Sequence, residues 1–133
     1  MDRSESASSG RKVLVVDDDW DVQDAVSETL QDAGFNVSCA TNGEEALSYL
    51  NQHPAPDAIL LDLFMPVMNG WDTARALQGT RELSSIPLIV ITASEPYWGY
   101  PPGPVLRKPI DRDKLISAVE NALASHPRKD HPS

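Results

Sequence analysis

Three short apolar runs, each closing on a polar side chain, constrain this chain more than any other feature. Residues 13–16 (Val-Leu-Val-Val) run into Asp17, Asp18 and Asp19, residues 58–61 (Ala-Ile-Leu-Leu) into Asp62, and residues 88–91 (Leu-Ile-Val-Ile) into Thr92. A strand with no polar alternation is buried on both faces. Such strands belong to parallel sheets with helices packed above and below. Val105-Leu106 reads as a shorter fifth strand ending near Lys108-Pro109. Phe35, Val37 and Cys39 alternate with polar neighbours, as in an edge-like second strand.

Helical signals fill the intervals. Asp19 can cap a helix with Val22, Ala25, Val26, Leu30 and Ala33 on its apolar side, and Gly34 stops it. Asn42 followed by Glu45 resembles a capping box with Asn in the Ser/Thr place. It opens a helix through Leu50, which Pro54 and Pro56 break. A third helix is predicted from about Gly70 to Leu77. Asp111 caps a last one, where Leu115, Val119 and Leu123 recur every four residues. Strands alternating with helices imply an α/β fold with right-handed crossovers. In such sheets the ligand site lies at the carboxyl ends of the strands. Asp17 and Asp18, Asp62, Thr92 and Lys108 are therefore delivered to one edge by four different strands.

The chain has 133 residues, of which 41% are hydrophobic, enough for one packed domain and too few for two ordinary ones. Residues 1–10 read as a flexible tail, 11–125 as the domain and 126–133 as a second tail. The formal net charge of -9 repels nucleic acid phosphates and anionic membranes, so neither is expected as a direct partner. No apolar run approaches membrane-spanning length and no signal-peptide pattern opens the chain, which makes a soluble cytoplasmic protein the expectation. The single cysteine, Cys39, cannot form an internal disulfide and reads as a small buried hydrophobe.

Two adjacent acids and a third from a neighbouring strand repel one another unless neutralised, and a hard divalent cation does this naturally. Mg²⁺ favours a few carboxylates together with waters and phosphate oxygens. With the cation bound, one carboxylate can act as nucleophile. Phosphoryl transfer asks mainly for positioning and charge neutralisation, to which Lys108 can add a fixed positive charge and Thr92 a hydroxyl donor.

Val-Leu-Val-Val-Asp-Asp-Asp, Asp-Ala-Ile-Leu-Leu-Asp-Leu-Phe-Met-Pro-Val-Met-Asn-Gly, Ile-Val-Ile-Thr-Ala and Leu-Arg-Lys-Pro-Ile, in that order, strongly resemble the response-regulator receiver family. The resemblance runs from about Lys12 to Leu123. It implies a flavodoxin-like three-layer sandwich on a five-stranded parallel sheet in the order 2-1-3-4-5. Carried over by position, it makes Asp62 the phosphoacceptor. Asp18 and Asp62 would bind Mg²⁺ or Mn²⁺ directly with the backbone carbonyl of Phe64, and Asp17 through water. Thr92 and Lys108 would contact the phosphoryl oxygens, and the Lys108-Pro109 bond would be cis. The donor would be a histidine kinase or phosphotransfer protein and the output a contact with an unknown downstream protein. Such a domain is a self-modifying switch, not a turnover enzyme.

The chain departs from the family between Thr92 and Lys108. Segment 93–104 holds Pro96, Pro101, Pro102 and Pro104, with Gly99 and Gly103, so the helix usual there is expected to be absent or reduced to about one turn. Val105 occupies the position of the family's aromatic switch residue. Tyr97, Trp98 and Tyr100 read first as cover for core left bare, and second as a docking patch. Phe64, bulky and two residues after the acceptor, is expected to hinder attacking water.

Each residue also has a plainer reading. Asp17–Asp19 alone fit an acidic helix start, Asp62 a loop acid, Lys108 a surface lysine and Thr92 a strand-end hydroxyl; only together do they point to chemistry. For Asp19 the helix cap is preferred to metal binding. His53, His126 and His131 read as solvated and Trp71 as packing at a helix start. Two rival functions stand beside the phosphoacceptor. One is a receiver-like binding module that works without phosphorylation. The other is a flavodoxin-type cofactor protein, which ranks low because Asp17, Asp18 and Asp19 replace the donor-rich phosphate loop it needs.

Overall fold

The computed structural model describes residues 10–93 and 101–125. Five strands alternate with helices: β1 Lys12–Val16, α1 Trp20–Asp32, β2 Asn36–Ala40, α2 Gly43–Gln52, β3 Ala58–Asp62, α3 Gly70–Gln78, β4 Leu88–Thr92, β5 Val105–Arg107 and α4 Arg112–Ser125. All strand pairs are parallel, and the order across the sheet is β2-β1-β3-β4-β5. The expected α/β architecture and strand order are both present.

Alternation along each strand divides the core into two layers. Val13, Val15, Leu60, Ile89 and Ile91 pack with Val26 and Leu30 of α1 and with Leu115, Val119 and Leu123 of α4. Leu14, Val16, Ile59 and Leu61 point the other way, onto Ala46 and Leu50 of α2 and Ala74 and Leu77 of α3. Each fully buried Leu or Ile of this kind contributes about 1.5–3 kcal/mol.

The helix ends follow the sequence signals. Asp19 caps α1, its carboxylate accepting from the backbone N–H of Asp21 and Val22. The helix ends in a Schellman arrangement: Gly34 N–H donates to Gln31 O and Phe35 N–H to Leu30 O, both at 3.0 Å, with Gly34 at φ 98. Asn42 accepts from Glu45 N–H at 2.8 Å, and Asp111 from Lys114 N–H at 3.0 Å. Gly70 is required by a close approach: a Cβ there would lie 2.4 Å from Asp62 O and 2.7 Å from Leu63 Cα. The start of α3 is thereby pressed against the end of β3.

Two local readings need correction. Cys39 is exposed, with its Sγ 3.3 Å from Ser27 Oγ, on β2, which pairs with a neighbour on one side only among the described residues. In α1 the buried stripe is Gln23, Val26 and Leu30, whereas Ala25 is exposed. Other readings fall outside the described residues: the tails apart from Gly10, His126 and His131, and Tyr97, Trp98 and Tyr100. Among the described residues no helix lies between β4 and β5, and the expectation of a reduced crossover rests largely on 94–100, outside them.

The loop after β3 contains one backbone outlier. Met68 N–H donates to Pro66 O at 2.7 Å across Val67, whose φ is 70. This is a γ-turn centred on a β-branched residue in the left-handed region, a costly placement. Val67 is 74% exposed, so little packing compensates. Val67→Gly is expected to stabilise the fold by about 1 kcal/mol, relief of strain outweighing glycine's extra unfolded-state entropy. Urea unfolding checks this; an unchanged or lower midpoint would show that the turn is held without strain.

Candidate metal and phosphoryl site

Each strand end contributes what its sequence placed there. Asp17 follows β1 directly, and its backbone N–H donates to Ala40 O at 3.0 Å, so it extends the β1–β2 ladder by one step. Asp62 is the last residue of fully buried β3. Lys108 follows β5, with its N–H donated to Thr92 O at 2.9 Å, which ties it to the end of β4. The Lys108-Pro109 bond is cis.

Asp17, Asp18 and Asp62 each offer a carboxylate oxygen such that all three oxygens lie within 4.8 Å of one another. Lys108 Nζ stands 2.8 Å from Asp17 Oδ2 and 3.5 Å from Asp62 Oδ2. Asp17 is fully buried and Asp62 is 4% exposed, while Asp18 is open to solvent. Asp17 Oδ1 accepts from Asp19 N–H at 2.9 Å, and Phe64 N–H reaches Asp62 Oδ1 at 3.4 Å. Asp17 Oδ2 has no hydrogen bond of good geometry, only its ion pair with Lys108. A cavity of about 360 Å³ opens over the cluster, walled by Asp18, Asp19, Asp62, Phe64, Ala93 and Lys108. Thr92 is fully buried one residue before Ala93 and is not part of that wall.

The charges do not balance. Burial, and next the negative charge of Asp17, push the Asp62 carboxyl from 3.8 up to about 6, against the opposing pull of Lys108 and of the Phe64 N–H. At Lys108, burial disfavours the charge, but the close contact with Asp17 and the charge of Asp62 outweigh it and raise its pKa. Among the described residues one ammonium, paired with Asp17 and Asp62, thus stands against a cluster of three carboxylates. A divalent cation fits this donor set. It is all oxygen, it contains a buried carboxylate oxygen without a hydrogen bond, and it adjoins a cavity that leaves room for waters or phosphate oxygens.

Asp19 lines the cavity but stays outside the acid cluster, and its carboxylate is engaged by α1. Phe64 is 43% exposed, and Trp71 packs edge-on against it, ring centroids 5.3 Å apart and planes at 79°. His53 is exposed and stacks on Tyr49. One contributor escaped the sequence reading: Gln23, buried in α1, whose Nε2 donates to Asp17 O at 2.7 Å and to Ala40 O at 2.9 Å. Its signal was positional, a polar residue at i, i+3, i+7 spacing with Val26 and Leu30.

A family model described as the response regulator receiver domain matches residues 13–98. Response regulator Rre1 of Synechocystis is 35% identical over 119 residues, spanning 84% of this chain and 51% of that protein. Protein PilH of Pseudomonas aeruginosa is 31% identical over 119 residues, covering 85% of this chain and 98% of PilH. The crystal structure of chemotaxis response regulator CheY4 of Vibrio cholerae superposes with a TM-score of 0.78 at 31% identity, over 86% of this chain and all of that one. The chain spans about half the length of several curated relatives it matches.

Asp62 holds its proton more tightly in the folded protein than in the unfolded one, so metal-free stability falls as pH rises from 3.8 through about 6. Two pH units at about 1.4 kcal/mol each bound the loss at about 3 kcal/mol. Screening at the cavity mouth lowers this to about 1–2 kcal/mol. In chelator, Asp62→Asn is therefore expected to be the more stable protein by that amount at about pH 7.5 and to match wild type at about pH 3.5. Denaturant titrations at both pH values check this, and an equal difference at the two would contradict the assignment.

Proposed function

The chain belongs to the response regulator receiver family of two-component systems, and from that premise we propose that Asp62 is a metal-assisted phosphoacceptor. The observation that carries the reading is the clustering of the Asp17, Asp18 and Asp62 carboxylates with Lys108 at one sheet edge, where Asp18, Asp62 and Lys108 line an open cavity. Asp17, Asp18 and Asp62, with the backbone carbonyl of Phe64, would hold Mg²⁺ or Mn²⁺. When bound, the cation supplies the positive charge that lets a phosphoryl group approach this acidic edge.

The residues themselves perform the transfer. Asp62, as its carboxylate, offers an oxygen to the phosphorus of a phosphohistidine on a histidine kinase or phosphotransfer protein. An oxygen–phosphorus bond forms, the phosphorus–nitrogen bond breaks, and the imidazole leaves with the electron pair and takes up a proton. Lys108, already 3.5 Å from Asp62, moves its charge from Asp17 toward the phosphoryl oxygens. Thr92, one residue beyond the strand position that pairs with Asp62, would add a hydroxyl donor. The product is a modified switch, not a released one. Its readout is a change of protein contacts with a downstream partner in the cytoplasm. Phe64, held by Trp71 at the cavity wall, restricts the approach of water to the acyl phosphate.

Incubation with acetyl phosphate and Mg²⁺, read by intact mass, is expected to give a phosphoryl adduct that chelator and Asp62→Ala both abolish. In the same preparation the adduct of Phe64→Asn is expected to decay several-fold faster than that of wild type. A metal-independent adduct, or one retained in Asp62→Ala, would refute the assignment. No adduct even with a phosphohistidine donor would favour a binding module that works without phosphorylation.

A further inference from the structure

We infer that Gln23 is a positioning residue for the acid pair Asp17 and Asp18, holding their shared peptide so that both carboxylates face the cation. The inference rests on the metal reading of the site. Gln23 is 3% exposed in the second turn of α1. Nε2 carries two hydrogens. It gives one to Asp17 O at 2.7 Å and the other to Ala40 O at 2.9 Å.

Asp17 O belongs to the peptide unit that joins Asp17 to Asp18. That unit is planar, so an anchor on its oxygen limits how far the whole unit, and both Cα atoms with it, can turn. Ala40 O already accepts Asp17 N–H at 3.0 Å. The side-chain amide thus locks the peptide on either side of Asp17 to the end of β2. Asp17 is then constrained at its N–H, at its C=O and at Oδ1, which accepts from Asp19. Asp18 is exposed, and the peptide before it limits where its side chain can reach. A core role alone does not call for this residue. Val26 and Leu30 fill the same stripe with apolar atoms, and an amide there is tolerated only because both its hydrogens are bonded.

Three variants separate positioning from plain stability. Gln23→Met keeps the shape and loses both donors. Gln23→Glu keeps the outline and, when ionised, offers only acceptors. Val26→Ala opens a cavity in the same helix stripe without touching the acids. Mn²⁺ affinity is measured by electron paramagnetic resonance at a temperature where circular dichroism shows each protein folded, and unfolding midpoints are recorded beside it. Partners that orient ligands typically govern metal affinity by about 10- to 100-fold. Gln23→Met and Gln23→Glu are expected to weaken Mn²⁺ by at least about tenfold, and Val26→Ala to bind as wild type despite a lower midpoint. Wild-type affinity in either folded Gln23 variant, or an equal loss in Val26→Ala, would overturn the inference. A wild-type protein that binds no Mn²⁺ would instead overturn the metal reading, and this inference with it.

Discussion

Everything at the working edge of this molecule answers to one imbalance, three carboxylates against a single ammonium. Lys108 sits between Asp17 and Asp62, its ammonium 2.8 Å from the one and 3.5 Å from the other. Its charge suffices to keep Asp17 buried but not to bring Asp62 to an ordinary carboxylate pKa. The fold therefore tolerates an unfavourable charge at a buried strand end. Such a cost persists where a ligand offsets it, and in the proposed function that ligand is a divalent cation, whose charge would also admit a phosphoryl group.

The scaffold holds that imbalance rigidly. The β1–β3–β4 centre of the sheet is apolar on both faces, so the carboxyl ends of these strands cannot shift without disturbing two packed layers. Gly70 lets α3 press against the backbone of Asp62, and Gln23 ties the peptide of Asp17 to the end of β2. The irregular backbone at this edge is the loop after β3, where Val67 takes an unfavourable φ and Phe64 lines the cavity.

Much of this was legible in the chain. The central strands declared themselves because burial on both faces permits no polar alternation, and the residue ending each run named the site. Caps at Asp19, Asn42 and Asp111 were readable because they depend on side chains one turn away. Strand order was not readable from local pattern, since parallel pairing is decided by contacts distant in sequence; the family resemblance supplied it. Gln23 was passed over because periodicity counts glutamine with the solvent face, whereas two carbonyls at the strand ends drew it inward. Residue type alone puts Cys39 in the core, but its strand lies at the sheet edge, where the side chain is exposed. The conformation of Val67 had no signal at all, because valine is the wrong residue for it.

The most direct test of the charge-balance account is the unfolding temperature of the wild-type protein as Mg²⁺ is titrated from chelator to millimolar excess near neutral pH. A cation that binds only the folded acid cluster raises the midpoint progressively with the logarithm of its concentration. The account predicts that rise in wild type and its absence in Asp18→Asn, which removes one of the three carboxylates while leaving the Lys108 ion pairs in place. A wild-type midpoint indifferent to Mg²⁺, or an equal rise in Asp18→Asn, would contradict it.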